Sequence, residues 1–168
     1  MLDTAELSAS ACVVWGKSGD QNTRWLPLWR HLADSAAVAE RLWTSWVSAA
    51  VRERISREIP GGDDAARVLV QWLAGVHDIG KATPAFACQV PPLRARMEDH
   101  GFSFPRGLEQ ERKRVPHATA GHIVLTDWLV AEHGWRRRTT DALAVVVGGH
   151  HGVPPTALDI QEAEDARS

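Results

Sequence analysis

An all-α helical bundle is the fold class the sequence predicts, and three observations predict it. Apolar residues recur at steps of three and four through several long stretches, the pattern of helices that bury one stripe. Clusters of Gly and Pro punctuate these stretches at 60–62, 91–92, 148–149 and 154–155. The strand-like run Val145-Val146-Val147 has no second strand to pair with, and its flanks favour a helix end.

Composition bounds the rest. At 168 residues, with 44% hydrophobic and 24% charged content, the chain suits one domain with a real core. Eight Trp with no Tyr, and eight His, are unusual. The first is a statement about packing, whereas eight imidazoles invite a metal hypothesis. A net charge of −2 provides no global basic field for nucleic acid, so any such contact must use a local patch. Cys12 and Cys88 share no CxxC spacing and fit a reducing compartment. The acidic start, Met1 to Glu6, lacks the basic region of a signal peptide, and no apolar run reaches membrane-spanning length. A cytoplasmic protein with no membrane association is expected.

Residues 1–30 hold few helical signals. Trp15-Gly16-Lys17-Ser18 ends like a phosphate-binding loop, but Ala11 stands where that loop needs glycine, so a turn before the first helix is expected. Trp25, Leu26, Leu28 and Trp29 form an apolar lead-in. From His31 to Glu58 one helix is expected, with Leu32, Ala36, Ala39, Trp43, Trp46 and Ala50 as its buried stripe and Arg41, Arg52, Glu53 and Arg57 in solvent. Pro60-Gly61-Gly62 stops it, and Asp63 or Asp64 can cap a second helix. Val68, Leu69, Trp72, Leu73 and Val76 of that helix face inward, and it ends at His77-Asp78. Thr83-Pro84 reads as an N-cap with proline at the first helical position, opening a short helix that runs to Val90 before Pro91-Pro92. Residues 99–116 read as a loop. A strong helix spans His117 to His133, stopped by Gly134. A further helix, Ala142 to Val147, starts from Thr140 or Asp141 and breaks at Gly148-Gly149. Residues 161–168 look like an uncapped polar tail after a domain of 1–160.

The histidines that matter sit at helix starts and ends: His31, His77 beside Asp78, His117, and the pair His150-His151. Helix ends can converge on one cavity, whereas mid-helix histidines on different faces cannot. Adjacent helical residues point about 100° apart, so His77 and Asp78 can serve one centre only near a bend, for which Gly80 is the candidate. A carboxylate can bridge two cations, and imidazole suits transition metals. Two ions about 3.5–4 Å apart could activate water and offset the charge of a phosphoryl transition state. Asp78 is the natural bridge. Each doublet alone is a weak signal, and the ordered set is what carries weight. His100, His122 and His133 match no motif and read as surface or packing residues.

In that ordered set the sequence resembles the HD phosphohydrolase superfamily, and more closely the HD nuclease domain of the CRISPR-associated helicase-nuclease of type I interference systems. The residues carrying the resemblance are Trp15-Gly16-Lys17-Ser18, Leu28 to Ser35, His77-Asp78-Ile79-Gly80-Lys81, Pro116-His117 and His150-His151-Gly152. It covers about residues 12–155. It implies a helical HD domain that cuts single-stranded DNA with two divalent metal ions. His31, His77 and Asp78 would hold the first ion; Asp78, His117, His150 and His151 would hold the second. Lys81 would sit near the scissile phosphate as a catalytic partner of Asp78. Asp34 either orients His31 or serves as a first-turn acid favouring the helix dipole.

Two departures accompany the resemblance. The family closes its first metal site with an aspartate on a later helix, and here only Asp159 and Asp165 follow His151. The family also continues into an ATP-driven helicase, and no phosphate-binding loop occurs here. An N-terminal part of a longer nuclease-helicase is therefore expected, working with an RNA-guided CRISPR surveillance complex. The alternatives are an incomplete, non-catalytic HD fragment, or an HD phosphohydrolase acting on nucleotides. The His-rich set suits Fe, Mn, Co or Ni, with Mg open because phosphoryl chemistry often uses it. Arg112-Lys113-Arg114 and Arg136-Arg137-Arg138 could track a DNA backbone, and Trp135 could stack on a base.

Overall fold

The computed structural model describes residues 7–19, 24–108 and 115–165, so the basic cluster Arg112-Lys113-Arg114 lies outside the described residues. Helices dominate, and the expected all-α architecture holds. The chain begins with a short helix, α1 (Ala9–Val13), whose first turn is capped by the Ser8 hydroxyl accepting from Ala11 N at 3.1 Å.

The first correction follows at once. Trp15-Gly16-Lys17-Ser18 is not a turn but β1 (Trp15–Ser18), paired antiparallel with β2 (Trp25–Pro27) in a small two-stranded sheet. The register is irregular between Trp15 and Lys17, where Gly16 lies. A Cβ on Gly16 would come within 3.1 Å of Leu28 Cα and 3.5 Å of His31 Cβ. That close approach favours glycine, and it seats the ribbon against the start of the next helix.

That helix, α2 (Leu28–Ser45), starts three residues before His31 and stops well before Glu58. Trp46 and Val47 both return their N–H groups to Leu42 O, and Ser48 then opens α3 (Ala49–Glu58) with its hydroxyl accepting from Val51 N. The single expected helix is thus two. Trp43 stays in phase and is 2% exposed, whereas Trp46, past the break, is 78% exposed. Ala50 is exposed as well, and Arg52 is only partly so.

In α4 (Gly62–Val76) the N-cap is Gly61 at φ 102°, and Asp63 and Asp64 lie in the first turn without capping it. Asp63 instead accepts from Ser56 Oγ at 3.3 Å, tying α3 to α4. Glu40 accepts from Arg67 at 2.8 Å and Gln71 at 3.1 Å, fixing α2 on the same helix. Val68, expected inside, is 53% exposed.

A 3-10 turn (Ile79–Ala82) leads into α5 (Pro84–Ala87), with Thr83 at the N-cap position and Pro84 first in the helix, as expected. The helix ends at Ala87 rather than Val90. Pro91-Pro92 then opens α6 (Pro91–Glu98) instead of closing a helix, since proline's missing N–H costs nothing in a first turn.

Helix α7 (His117–His133) has the expected bounds. Gly134 at φ 65° ends it, with Trp135 N reaching back to Leu129 O at 3.1 Å. Helix α8 (Arg137–Gly148) begins a turn earlier than expected and breaks at Gly149. The expected polar tail is, through Asp165, the second half of α9 (Ala157–Asp165), with Ala163 buried. Its start was legible: Thr156 Oγ1 accepts from Asp159 N at 3.1 Å, and Asp159 Oδ2 accepts from Thr156 N at 2.7 Å. This is a reciprocal cap.

Two apolar clusters support the functional end. Val13, Trp15, Leu28, Ala87, Leu93 and Met97 pack the N-terminal ribbon against α5 and α6. Leu125, Leu129, Ala144 and Val147 join α7 to α8, with Trp72, Leu73 and Val76 of α4 against them. No helix among the described residues is long and apolar enough to cross a membrane.

Candidate metal centre

Helix ends deliver every residue of the centre. His31 lies in the first turn of α2, His77 ends α4, His117 opens α7, and His150 and His151 follow α8. The bend that lets His77 and Asp78 face one point is at Asp78 itself, which leaves helical geometry at φ −104°, ψ 16°. Gly80 has a different task. A Cβ there would collide with the His117 carbonyl oxygen and fall 2.5 Å from Gly121 N, so Gly80 lets the turn touch α7 backbone to backbone.

Asp78 is the hub, 4% exposed. Its Oδ2 lies 2.8 Å from His31 Nε2, 3.3 Å from His77 Nε2 and 2.7 Å from Lys81 Nζ. Its Oδ1 lies 3.3 Å from both His117 Nε2 and His150 Nε2. His151 Nε2 is 3.0 Å from His117 Nε2. Two groups result, His31-His77-Asp78 and His117-His150-His151, each with potential donor atoms within 4.8 Å of one another. All six histidine and aspartate candidates, and Lys81, are brought together.

The protonation pattern shows what this cluster fits. His77 Nδ1 faces Ala74 O at 2.8 Å and His150 Nδ1 faces Val147 O at 2.6 Å. A carbonyl only accepts, so each Nδ1 carries the hydrogen, and each Nε2 of a neutral ring points a lone pair at a carboxylate oxygen. Asp78 Oδ1 and His150 Nε2 are in fact buried without a hydrogen-bond partner. Orphaned acceptors facing each other are costly unless a cation lies between them. The residues present fit a divalent ion.

The electrostatics show that the Asp78 site favours positive charge, supplied by a protonated imidazole where no cation lies between the two groups. Burial pushes the Asp78 carboxyl up, but His117, His150, His77 and Lys81 outweigh it and hold the group far below the ordinary carboxylate range. Asp78 therefore stays ionised. His31 is lowered by burial, against its bond to Asp78, with Lys17 and His77 pushing the same way as burial. His150 is raised by its contact with Asp78. His151 is lowered by burial and then by the neighbouring imidazoles.

Other candidates fare less well. Asp34 is exposed, has no recorded bond to His31 among the described residues, and lies beyond the first turn of α2, so neither of its expected roles holds. Asp159 and Asp165 join neither ligand group, and Asp159 is engaged by Thr156. Arg136-Arg137-Arg138 lies at the far end of the 12-residue α8 from His150, about 18 Å along the helix, and Arg137 pairs with Glu164 at 3.1 Å. His100 is exposed and His122 is buried. His133 packs on Trp128 with ring centroids 4.4 Å apart. Sequence reasoning missed two residues near the centre. Lys17 acts on His31 from the ribbon, and Phe86 places its ring 5.5 Å from His117. Both stand in motifs already singled out, next to Gly16 and after Thr83-Pro84.

Comparison with known proteins points the same way. The family model described as Cas3, HD domain, matches residues 15–168. The chain is 34% identical over 160 residues to the CRISPR-associated nuclease/helicase Cas3 of Streptococcus thermophilus, covering 86% of this chain and 16% of that protein. It is 29% identical over 154 residues to the CRISPR-associated endonuclease/helicase Cas3 of Thermus thermophilus, covering 92% of this chain and 16% of that protein. A solved structure described as a CRISPR-associated protein superposes with a TM-score of 0.77 at 33% identity, covering 92% of this chain and 17% of the other. The chain thus spans about one sixth of the length of these relatives. With the motif order, the fold and the hub geometry in agreement, this chain belongs to the Cas3 HD-domain family.

Proposed function

We propose that the cluster around Asp78 holds two divalent metal ions and hydrolyses phosphodiester bonds of single-stranded DNA, as the nuclease part of a cytoplasmic nuclease-helicase acting in type I CRISPR interference. One observation carries the reading: the two oxygens of a single buried carboxylate face two separate sets of imidazoles. His31, His77 and Asp78 Oδ2 would hold one ion; His117, His150, His151 and Asp78 Oδ1 would hold the other. Such ions supply Lewis-acid stabilisation of phosphate charge and activation of water. The chain's own contribution is positional. Backbone carbonyls of Ala74 and Val147 fix the tautomers of His77 and His150. Lys81 lies where its ammonium can leave Asp78 for a phosphate oxygen and offset developing charge. The donor set, five imidazoles to one carboxylate, favours Fe, Mn, Co or Ni over Mg. The partners that accompany this reading are single-stranded DNA, a helicase domain in the same polypeptide and an RNA-guided surveillance complex.

A second reading has its own support. Among the described residues the two ligand groups contain a single carboxylate between them, so a chain that binds metal without turning over is the competing outcome. Cleavage of circular single-stranded DNA with added Mn²⁺ separates the two. Linear product, reduced at least about 100-fold in Asp78→Ala, is expected for the nuclease. Metal bound without cleavage would favour the inactive reading. Hydrolysis of free nucleotides in place of the polymer would move the function to a nucleotide phosphohydrolase.

A further inference from the structure

We infer that Phe86 is a positioning residue of this centre, holding the His117 imidazole in its facing orientation and offering its ring face to the Lys81 ammonium. The inference rests on the reading of the cluster as a metal centre.

The site's imidazoles are not held alike. His77 and His150 are fixed through Nδ1 by carbonyls one turn back, and His31 is fixed by Asp78 Oδ2. His117 has no acceptor for Nδ1 among the described residues; its recorded polar contacts all run through Nε2. Its ring direction must therefore come from packing. Phe86 contributes the apolar part of that packing, edge to face at 65° with centroids 5.5 Å apart, beside the His150 and His151 rings at 5.5 and 5.0 Å.

Phe86 is itself anchored. Its ring lies 4.6 Å from that of Trp15, tilted by 33°. Trp15 is buried, and its Nε1 donates to Ala87 O at 3.0 Å, the residue next to Phe86. The line Trp15–Phe86–His117 thus carries rigidity from the apolar core to a ligand whose Nδ1, unlike that of His77 or His150, faces no backbone carbonyl among the described residues. Lys81 Nζ is 5.5 Å from the Phe86 centroid as well as 2.7 Å from Asp78 Oδ2. When a cation occupies Asp78 Oδ2, the ring face is the neighbouring place where an ammonium is still attracted.

Cobalt(II) tests this without relying on turnover. Titration calorimetry and the visible absorption of the bound ion would be compared for the wild-type chain, Phe86→Leu and Phe86→Tyr. Phe86→Leu is expected to weaken cobalt binding by about tenfold or more and to change the absorption envelope, in the range seen when ligand-orienting partners are lost. Phe86→Tyr should restore both, because it returns the ring. Phe86→Met, which conserves volume without a ring, serves the same purpose if the leucine variant fails to fold. Unchanged affinity and spectrum in a folded Leu or Met variant would overturn the inference while leaving the metal reading intact. A wild-type chain that binds no cobalt would overturn the metal reading first, and the positioning role with it.

Discussion

The same three helices build two unlike regions. At one end, α4, α7 and α8 present His77, His117 and His150 around Asp78, with an imidazole nitrogen aimed at each carboxylate oxygen. Towards the other ends they line an apolar cavity of about 610 Å³, walled by Leu69, Trp72, Trp128, Leu129, Trp135 and Leu143. There Trp128 is 44% exposed, and its lining neighbour Val68 is also open to solvent. The difference teaches what each interaction demands. Buried charges and lone pairs require partners in particular directions, so the polar end tolerates one arrangement. Apolar contact is non-directional and roughly proportional to area, so the cavity walls can shift or stay partly open.

Three substitutions can break or sharpen that contrast. The largest effect is expected at Gly80, where backbone meets backbone and neither side can yield. Gly80→Ala should cost about 3 kcal/mol, the upper range for overpacking, read from the urea midpoint, and should weaken cobalt binding as the turn is pushed off α7. Unchanged stability would mean the two backbones are less tightly coupled than the contact implies.

Trp72→Ala comes next. Truncating this half-buried ring should cost about 2 kcal/mol, below the range for fully buried aromatics, while cobalt affinity changes less than about threefold. A large loss of metal affinity would show that the cavity wall and the polar centre are one mechanical unit.

The smallest effect concerns His122, a polar group inside the apolar stretch of α7. It is 6% exposed, and its Nδ1 is buried without a partner. Burial lowers its pKa below 6.5, against Asp141 and a bond to the Ala144 backbone. Because the folded value lies below the unfolded one, its contribution is fully present above about pH 6.5 and declines as pH falls through the lowered value. His122→Leu should therefore lose less of its urea midpoint between pH 7.5 and 5.5 than the wild type. An identical acid slope in both proteins would assign the decline to other groups.

How much of this was legible in the sequence varies with the kind of signal. Helix α7 was readable at both ends because Pro116 and Gly134 act through their own backbone angles. The break between α2 and α3 was also written locally, in Ser48, but a continuing apolar period across Trp46 concealed it. The ribbon at Trp15 was not readable, since β1 and β2 are too short to show alternation and are stabilised by the core beneath them. Asp159 was legible only as an acid following His151, and its reciprocal cap with Thr156 went unread.

For the centre, the sequence by itself determined the residue types and their places at helix ends: His31, His77, Asp78, His117, His150, His151 and Lys81. Those follow from local chemistry, because caps, prolines and glycines decide where a helix stops. Only the tertiary structure decided which oxygen of Asp78 faces which imidazole, that Gly80 serves contact rather than a bend, and that Phe86 stands behind His117. Each of these joins segments distant in the chain. Such meetings are set by how helices pack, a long-range balance of burial and close approach that no window of sequence contains.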